Sequence, residues 1–328
     1  MEKPRFNFGN GRPPPNLTSS QRQAYGALFD YGSLYFQKQN LPAGSSLRPR
    51  LFPLLAGPTG SGKSMLAESV AHALGAEYFH VTYGDWVPLG ARDPNSSTLV
   101  RIAKLLLQEK RLVVHVDELD KWLTGQGSFE WGRSITTDLW NLLDCKIPFD
   151  RIPKPEKKEG QPADPAEMQA AEKAPRPGIE RENLFIVGSG TWQCVFEDLS
   201  QAKIGFSQHS PQEAAQGTDG VADAIRASKM IPTELTARFA TDILILTYPP
   251  PWETEILLED CGLMKLAHDL GIEINAADVD YAAAGMRALE SMATRLYLEK
   301  FRRDRRLWEE TWQSIEELQE PSGANPGF

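Results

Sequence analysis

Cysteine is scarce in this chain of 328 residues. Its three cysteines, Cys145, Cys194 and Cys261, lie far apart and never form a CxxC pair, which argues against a zinc module or a disulfide scaffold and fits a reducing compartment. Long apolar runs are also missing. None approaches the roughly 18–20 residues needed to cross a bilayer, and the opening MEKPRFNFGNGRPPP holds no apolar signal core. The expectation is a cytoplasmic protein with no membrane association. Basic charge is not in excess either: 35 Lys and Arg stand against 44 Asp and Glu, a net charge of −9. That balance leaves no electrostatic footprint for nucleic acid. The one basic run, Arg302-Arg303-Asp304-Arg305-Arg306, reads as a solvated helix face.

What is present is ordinary globular material, 41% hydrophobic and 24% charged, in a length that suggests about two domains. Residues 1–16, rich in Pro, Gly and Asn, read as a flexible arm. Helical spacing of Ala24, Leu28, Tyr31 and Tyr35 predicts a helix over 20–39 with Ser19 or Ser20 as its N-cap. Apolar runs at 51–56, 78–81, 112–116, 184–187 and 242–246 read as strands. Helical segments at 64–74 and 98–108 separate the first three. This alternation implies a parallel sheet covered on both faces. Residues 153–182 carry almost no large apolar side chain and read as a mobile insertion. Prolines 249–251 mark a boundary. Beyond it come a helix over 253–270, a short strand at 272–274 and a long helical stretch over 278–318. Trp308, Trp312 and Ile315 form a stripe on its last part. The expected domains are therefore 17–249, containing the insertion, and 250–319, followed by a flexible tail at 320–328.

Between a strand and a helix lies Gly57-Pro58-Thr59-Gly60-Ser61-Gly62-Lys63-Ser64, which satisfies GxxxxGK[ST]. Glycines let successive backbone N–H groups curl around phosphate oxygens, and the helix N-terminus adds partial positive charge. Lys63 can reach the β- and γ-phosphates of ATP, and the Ser64 hydroxyl can ligate Mg²⁺. The strand Leu112–Val116 ends in Asp117-Glu118. Asp117 belongs near the metal, and Glu118 can polarise an attacking water. His115, among apolar neighbours, reads as a packed core residue.

These residues resemble the AAA+ ATPases, and within them the ClpX/HslU clade of protein unfoldases, over about residues 20–303. The resemblance implies an α/β fold: an AAA+ P-loop domain with a parallel five-stranded sheet flanked by helices, plus a small, mainly helical lid domain. It places Leu17 near the adenine base and makes Gly188-Ser189-Gly190-Thr191 look like sensor 1, with Ser189 touching the γ-phosphate or its water. Residues 232–239, PTELTARF, are similar to the box whose arginine, here Arg238, reaches the neighbouring subunit's ATP. Gly285-Met286-Arg287 looks like sensor 2, which brings Arg287 to the nucleotide in cis. A finger acting in trans implies a homo-oligomeric ring, hexameric in that clade, although the sequence does not distinguish six subunits from five or seven.

The same resemblance assigns partner contacts. Trp86, Val87 and Leu89 stand where the clade grips polypeptide in the pore, yet the GYVG tetrapeptide is absent and Pro88 interrupts the stretch. The alternative is that Trp86 and Leu89 pack the loop onto the domain. Ile204-Gly205-Phe206 matches the tripeptide with which ClpX docks its ClpP-like peptidase, and the two apolar residues could equally pin their loop to the core. The chain is expected to lack the clade's zinc-binding N-terminal domain. The expected function is a Mg²⁺- and ATP-dependent ATPase whose ring remodels, unfolds or threads a protein partner. Two rivals stay open: a nucleic-acid motor or loader of the same fold, and an ATP-switched scaffold controlling an effector.

Overall fold

Apolar runs become strands here because the sheet they form is covered by helices. The computed structural model describes residues 13–37, 51–91, 93–108, 110–124, 130–152, 178–193, 195–196, 220–227, 237–239 and 242–319. Among them, β1 (Leu54–Ala56), β2 (Glu77–Val81), β3 (Leu112–Val116), β4 (Leu184–Gly190) and β5 (Ile243–Ile245) form one sheet in the order β2-β3-β4-β1-β5. Every pairing is parallel. The central strands β1, β3 and β4 are buried along their whole length, as expected where helices cover both faces.

The helices of this first unit are α1 (Ser19–Phe36), α2 (Lys63–Ala73), α3 (Thr98–Leu107), α4 (Leu119–Thr124), α5 (Glu130–Leu143) and α6 (Ile179–Asn183). Leu28, Leu55, Leu66, Val114 and Phe185 are fully buried in its single core, each such side chain contributing about 1.5–3 kcal/mol of burial. The N-cap of α1 is Thr18, not Ser19 or Ser20. Its hydroxyl accepts from the Gln21 N–H, and the Gln21 side chain accepts from the Thr18 N–H, a reciprocal capping box. Only residues 153–177 of the expected insertion fall outside the described residues. Its last residues instead start α6, with Ile179 buried.

The chain divides into two compact units, Met1–Thr247 and Tyr248–Phe328. In the second, α7 (Pro251–Asp260) and α8 (Leu263–Asp269) replace the single helix expected over 253–270. The break is Gly262, whose φ of +71° is left-handed. The strand expected at 272–274 is not formed. Ile272 and Ile274 instead pack in irregular backbone against Leu258, Leu263 and Leu296. The expected long helix is likewise interrupted: α9 (Tyr281–Ala284) ends at Gly285, and α10 (Arg287–Gln319) follows. Among the described residues no helix is long and apolar enough to cross a membrane.

Candidate nucleotide site

The Gly57–Ser64 loop joins β1 to α2, and its shape depends on two glycines. Gly62 has a φ of +93°, and a Cβ there would sit 2.6 Å from Gln21 Nε2. A Cβ on Gly57 would lie 2.6 Å from the Leu246 carbonyl. A side chain at Gly57 would strike the backbone of Leu246, and one at Gly62 would strain its left-handed backbone and displace Gln21. Gln21 braces the loop from α1 by donating to the Ser61 carbonyl at 2.9 Å. Leu17 is buried one residue before the cap of α1, so the same helix start ties it to the loop.

Lys63 Nζ donates to the carbonyls of Gly57 (2.8 Å) and Pro58 (2.9 Å). Burial lowers its pKa, while the charges of Asp117 and Asp120 oppose that shift. The Ser61 hydroxyl is buried with no hydrogen-bond partner among the described residues. An orphaned hydroxyl, a glycine-shaped cradle, a buried ammonium and the N-terminus of α2 together suit a polyphosphate. Thr59 and Gly60 complete the loop.

Asp117 lies at the end of β3, 53 residues further along the chain, and meets the loop directly. Ser64 Oγ donates to Asp117 Oδ2 at 3.1 Å. A hydroxyl beside a carboxylate is a suitable donor set for Mg²⁺. Burial would raise the Asp117 carboxyl. Hydrogen bonds from His80, Ser189 and the Glu118 N–H outweigh it and hold the group well below the usual carboxylate range. The neighbouring Glu118 has a φ of +59°, a backbone strain that recurs at functional positions. Its carboxylate meets Lys121 Nζ at 2.5 Å in a largely exposed pair.

Ser189 does not match its expected role. It is fully buried within β4, its hydroxyl between His115 Nε2 (2.8 Å) and Asp117 Oδ1. It therefore acts behind Asp117 instead of reaching a phosphate. His115, expected to be passive core, accepts or donates through both ring nitrogens, with Tyr78 OH 2.8 Å from Nδ1. Burial lowers its pKa to about 4. His80 aligns with His115 across the β2–β3 register and lies 3.4 Å from Asp117 Oδ2. The hydrogen bond to Asp117 raises its pKa. The missed signal was a period of two: Tyr78 and His80 on one strand, His115 and Asp117 on the next. Asp120 was missed as well. Its carboxylate accepts from the Thr191 N–H and hydroxyl and from the Trp192 N–H, which fixes the end of β4.

Arg238 is held in a two-pronged ion pair with Asp144, Nε to Oδ1 at 2.7 Å and Nη2 to Oδ2 at 3.2 Å, and lies over the Trp140 ring. This pairing pulls the Asp144 carboxyl down. The remainder of the expected box, residues 232–236, lies outside the described residues. Arg287 opens α10 in the second unit and is exposed.

The pore expectation for Trp86 is corrected. Trp86 is 2% exposed, and its indole N–H donates to Asp138. The Val87 N–H donates to the Thr98 hydroxyl, the Thr98 N–H donates to the Val87 carbonyl, and the Leu89 N–H donates to Asp138. A ring pinned this deeply is a core anchor and cannot sweep a pore. Leu89 also packs against the core. Ile204, Gly205 and Phe206 lie outside the described residues.

Residues 53–146 match the model of the AAA family, the ATPase family associated with various cellular activities. That segment runs from just before β1 past Glu118 and so contains both the phosphate loop and the acidic pair. No curated protein matches the chain. Among solved structures, the FIGL-1 AAA domain in complex with ADP is similar at 16% identity and a TM-score of 0.41, covering 85% of this chain and 71% of that one.

Proposed function

We propose that this AAA-type chain is a Mg²⁺- and ATP-dependent ATPase that assembles into a homo-oligomeric ring, hexameric as in the ClpX/HslU clade it resembles, and remodels a protein partner. The observation that carries the nucleotide chemistry is the Ser64–Asp117 contact. It brings the phosphate loop and the acidic strand end to one point from distant parts of the sequence. Mg²⁺, when bound there, neutralises charge on the β- and γ-phosphate oxygens. Lys63 exchanges its loop carbonyls for phosphate oxygens. Glu118 takes a proton from the attacking water once Lys121 releases its carboxylate. Arg238 from a neighbouring subunit, and Arg287 in cis, stabilise charge developing on the transferred group.

Burial of Trp86 favours a second reading of the partner step. Without that aromatic as a grip, nucleotide state would switch an assembly that acts on an effector, and no polypeptide would be threaded. Docking of a ClpP-like peptidase at Ile204-Gly205-Phe206 belongs to the threading form of the proposal.

The test is Glu118→Gln, read by nucleotide binding, phosphate release and mass in solution. The variant is expected to bind Mg·ATP, to lose at least about a hundredfold in turnover as a missing general base implies, and to shift to a discrete oligomer. Undiminished turnover removes Glu118 as the base. A monomer with and without Mg·ATP overturns the ring.

A further inference from the structure

The proposed ATPase chemistry gives His80 no role, yet its imidazole stands beside the carboxylate which that chemistry needs. His80 Nε2 lies 3.4 Å from Asp117 Oδ2, the same oxygen that accepts from Ser64 Oγ at 3.1 Å. One carboxylate oxygen therefore has a nitrogen and a hydroxyl oxygen as neighbours, brought together from β2, α2 and the end of β3. The spacing suits a shared ion. Two donors bound at about 2.0–2.1 Å to one tetrahedral ion stand about 3.4 Å apart. A direct N–H···O bond prefers about 2.9–3.0 Å. The His80–Asp117 distance is long for the second and right for the first.

The imidazole is both fixed and reachable. Its ring centroid is 5.0 Å from that of His115 and 6.3 Å from that of Tyr78, so two neighbours hold its plane. Strand β2 is an edge of the sheet, and the His80 side chain is 37% exposed against 17% for Asp117. An ion can enter from solvent without opening the core. His115 also offers a ligand atom, and those of His80, His115 and Asp117 all lie within 4.8 Å of one another. Both nitrogens of His115 are already engaged, by Tyr78 and Ser189. It therefore stays behind Asp117 and orients that carboxylate.

An imidazole nitrogen changes which cation the site prefers. Mg²⁺ keeps oxygen ligands and sheds its water reluctantly, whereas Zn²⁺, Co²⁺ and Ni²⁺ accept nitrogen readily. We propose that His80 Nε2 and Asp117 Oδ2, with Ser64 Oγ beside them, form a site for a nitrogen-accepting dication such as Zn²⁺, bound without nucleotide. Water fills the remaining positions. The inference rests on the reading of Ser64 and Asp117 as a cation-binding pair and adds a nitrogen donor to it. Asp117 Oδ2 serves one such ion at a time, so Zn²⁺ held here excludes Mg²⁺ from the same oxygen.

The test uses the full, untagged chain at about 50 µM, a concentration suited to micromolar binding, free of nucleotide and titrated calorimetrically with Zn²⁺. The wild type is expected to bind Zn²⁺ with micromolar affinity. His80→Gln, whose amide can still reach Asp117, is expected to weaken that binding at least about tenfold. His268→Gln, at an exposed histidine of the second unit, is expected to bind as the wild type does. Cys145, Cys194 and Cys261 stay in every variant, so binding at thiols is common to all. Thermal unfolding gives a second readout. Zn²⁺ is expected to raise the midpoint of the wild type more than that of His80→Gln, and equimolar Mg²⁺ to raise neither. A chain that binds no Zn²⁺, a His80→Gln variant that binds it undiminished, or Mg²⁺ that stabilises as well as Zn²⁺ overturns the site. None of these readouts involves ATP, so this site and the ATPase reading fail separately.

Discussion

Ser189 has one hydroxyl proton and two polar neighbours, so the direction of each hydrogen bond around it can be assigned. The Tyr78 phenol is pushed up by burial and keeps its proton, which it donates to His115 Nδ1. His115 is neutral at pH 7, because burial lowers its pKa to about 4, and its single proton is then on Nε2. That N–H donates to Ser189 Oγ, and Ser189 donates to Asp117 Oδ1. The relay ends on the carboxylate suited to hold the metal, which makes His115 a positioning residue. His115→Phe fills the volume but leaves Tyr78 and Ser189 each short of a partner in a buried site. A destabilisation of about 1–3 kcal/mol is expected in chemical denaturation. Turnover is also expected to fall about tenfold while Mg·ATP affinity stays near wild type. His115→Gln, which keeps a donor near Nε2, should recover much of the turnover. A purely structural role would move stability in both variants and leave the rate per folded molecule unchanged.

The strands of the first unit were legible as apolar runs, and the phosphate loop and Asp117-Glu118 were legible as local strings, because each signal is complete within a few residues. The second unit was read less well. Gly262 and Gly285 interrupt helices whose apolar periodicity continues across them, and a lone glycine within such a pattern gives no clear stop. The His115 relay was illegible for a different reason: it exists only once the β2–β3–β4 register aligns residues from three strands. Trp86 shows the same limit in a loop. Beside Gly84, Asp85 and Pro88 it reads equally as a gripping residue or as a loop anchor, and the partner that decides for the anchor, Asp138, is 52 residues away on α5. Trp86→Ala is therefore expected to cost about 3–5 kcal/mol of stability, as for other large buried aromatics. ATP turnover per folded molecule should stay unchanged, and denaturation with activity normalised to the folded fraction checks both. A variant as stable as wild type that no longer couples hydrolysis to a protein partner would return Trp86 to the pore.

At the scale of the proposed assembly, the residue to test is Arg238. Within one chain its guanidinium pairs with Asp144 through Nε and Nη2 and lies over the Trp140 ring. Reaching a neighbour's γ-phosphate means trading one carboxylate for a more highly charged group, an exchange that a partly exposed pair permits at small cost. Under the proposed ring, isolated subunits are expected to be slow because Arg238 rests on its own chain, and assembly is expected to raise the rate. Mixing two inactive variants tests this. Arg238→Ala keeps Glu118 but has no finger, whereas Glu118→Gln keeps the finger but has no base. Where an Arg238→Ala site abuts a Glu118→Gln neighbour, both groups are present at one nucleotide. Equimolar mixing is expected to restore roughly a quarter of wild-type turnover if subunits combine at random, since an active junction then needs one particular ordered pair out of four. Activity should rise with the Glu118→Gln fraction, peak near equal amounts and fall again. A mixture no faster than its two components would mean that Arg238 serves its own chain, and the Asp144 pair would then be its working position.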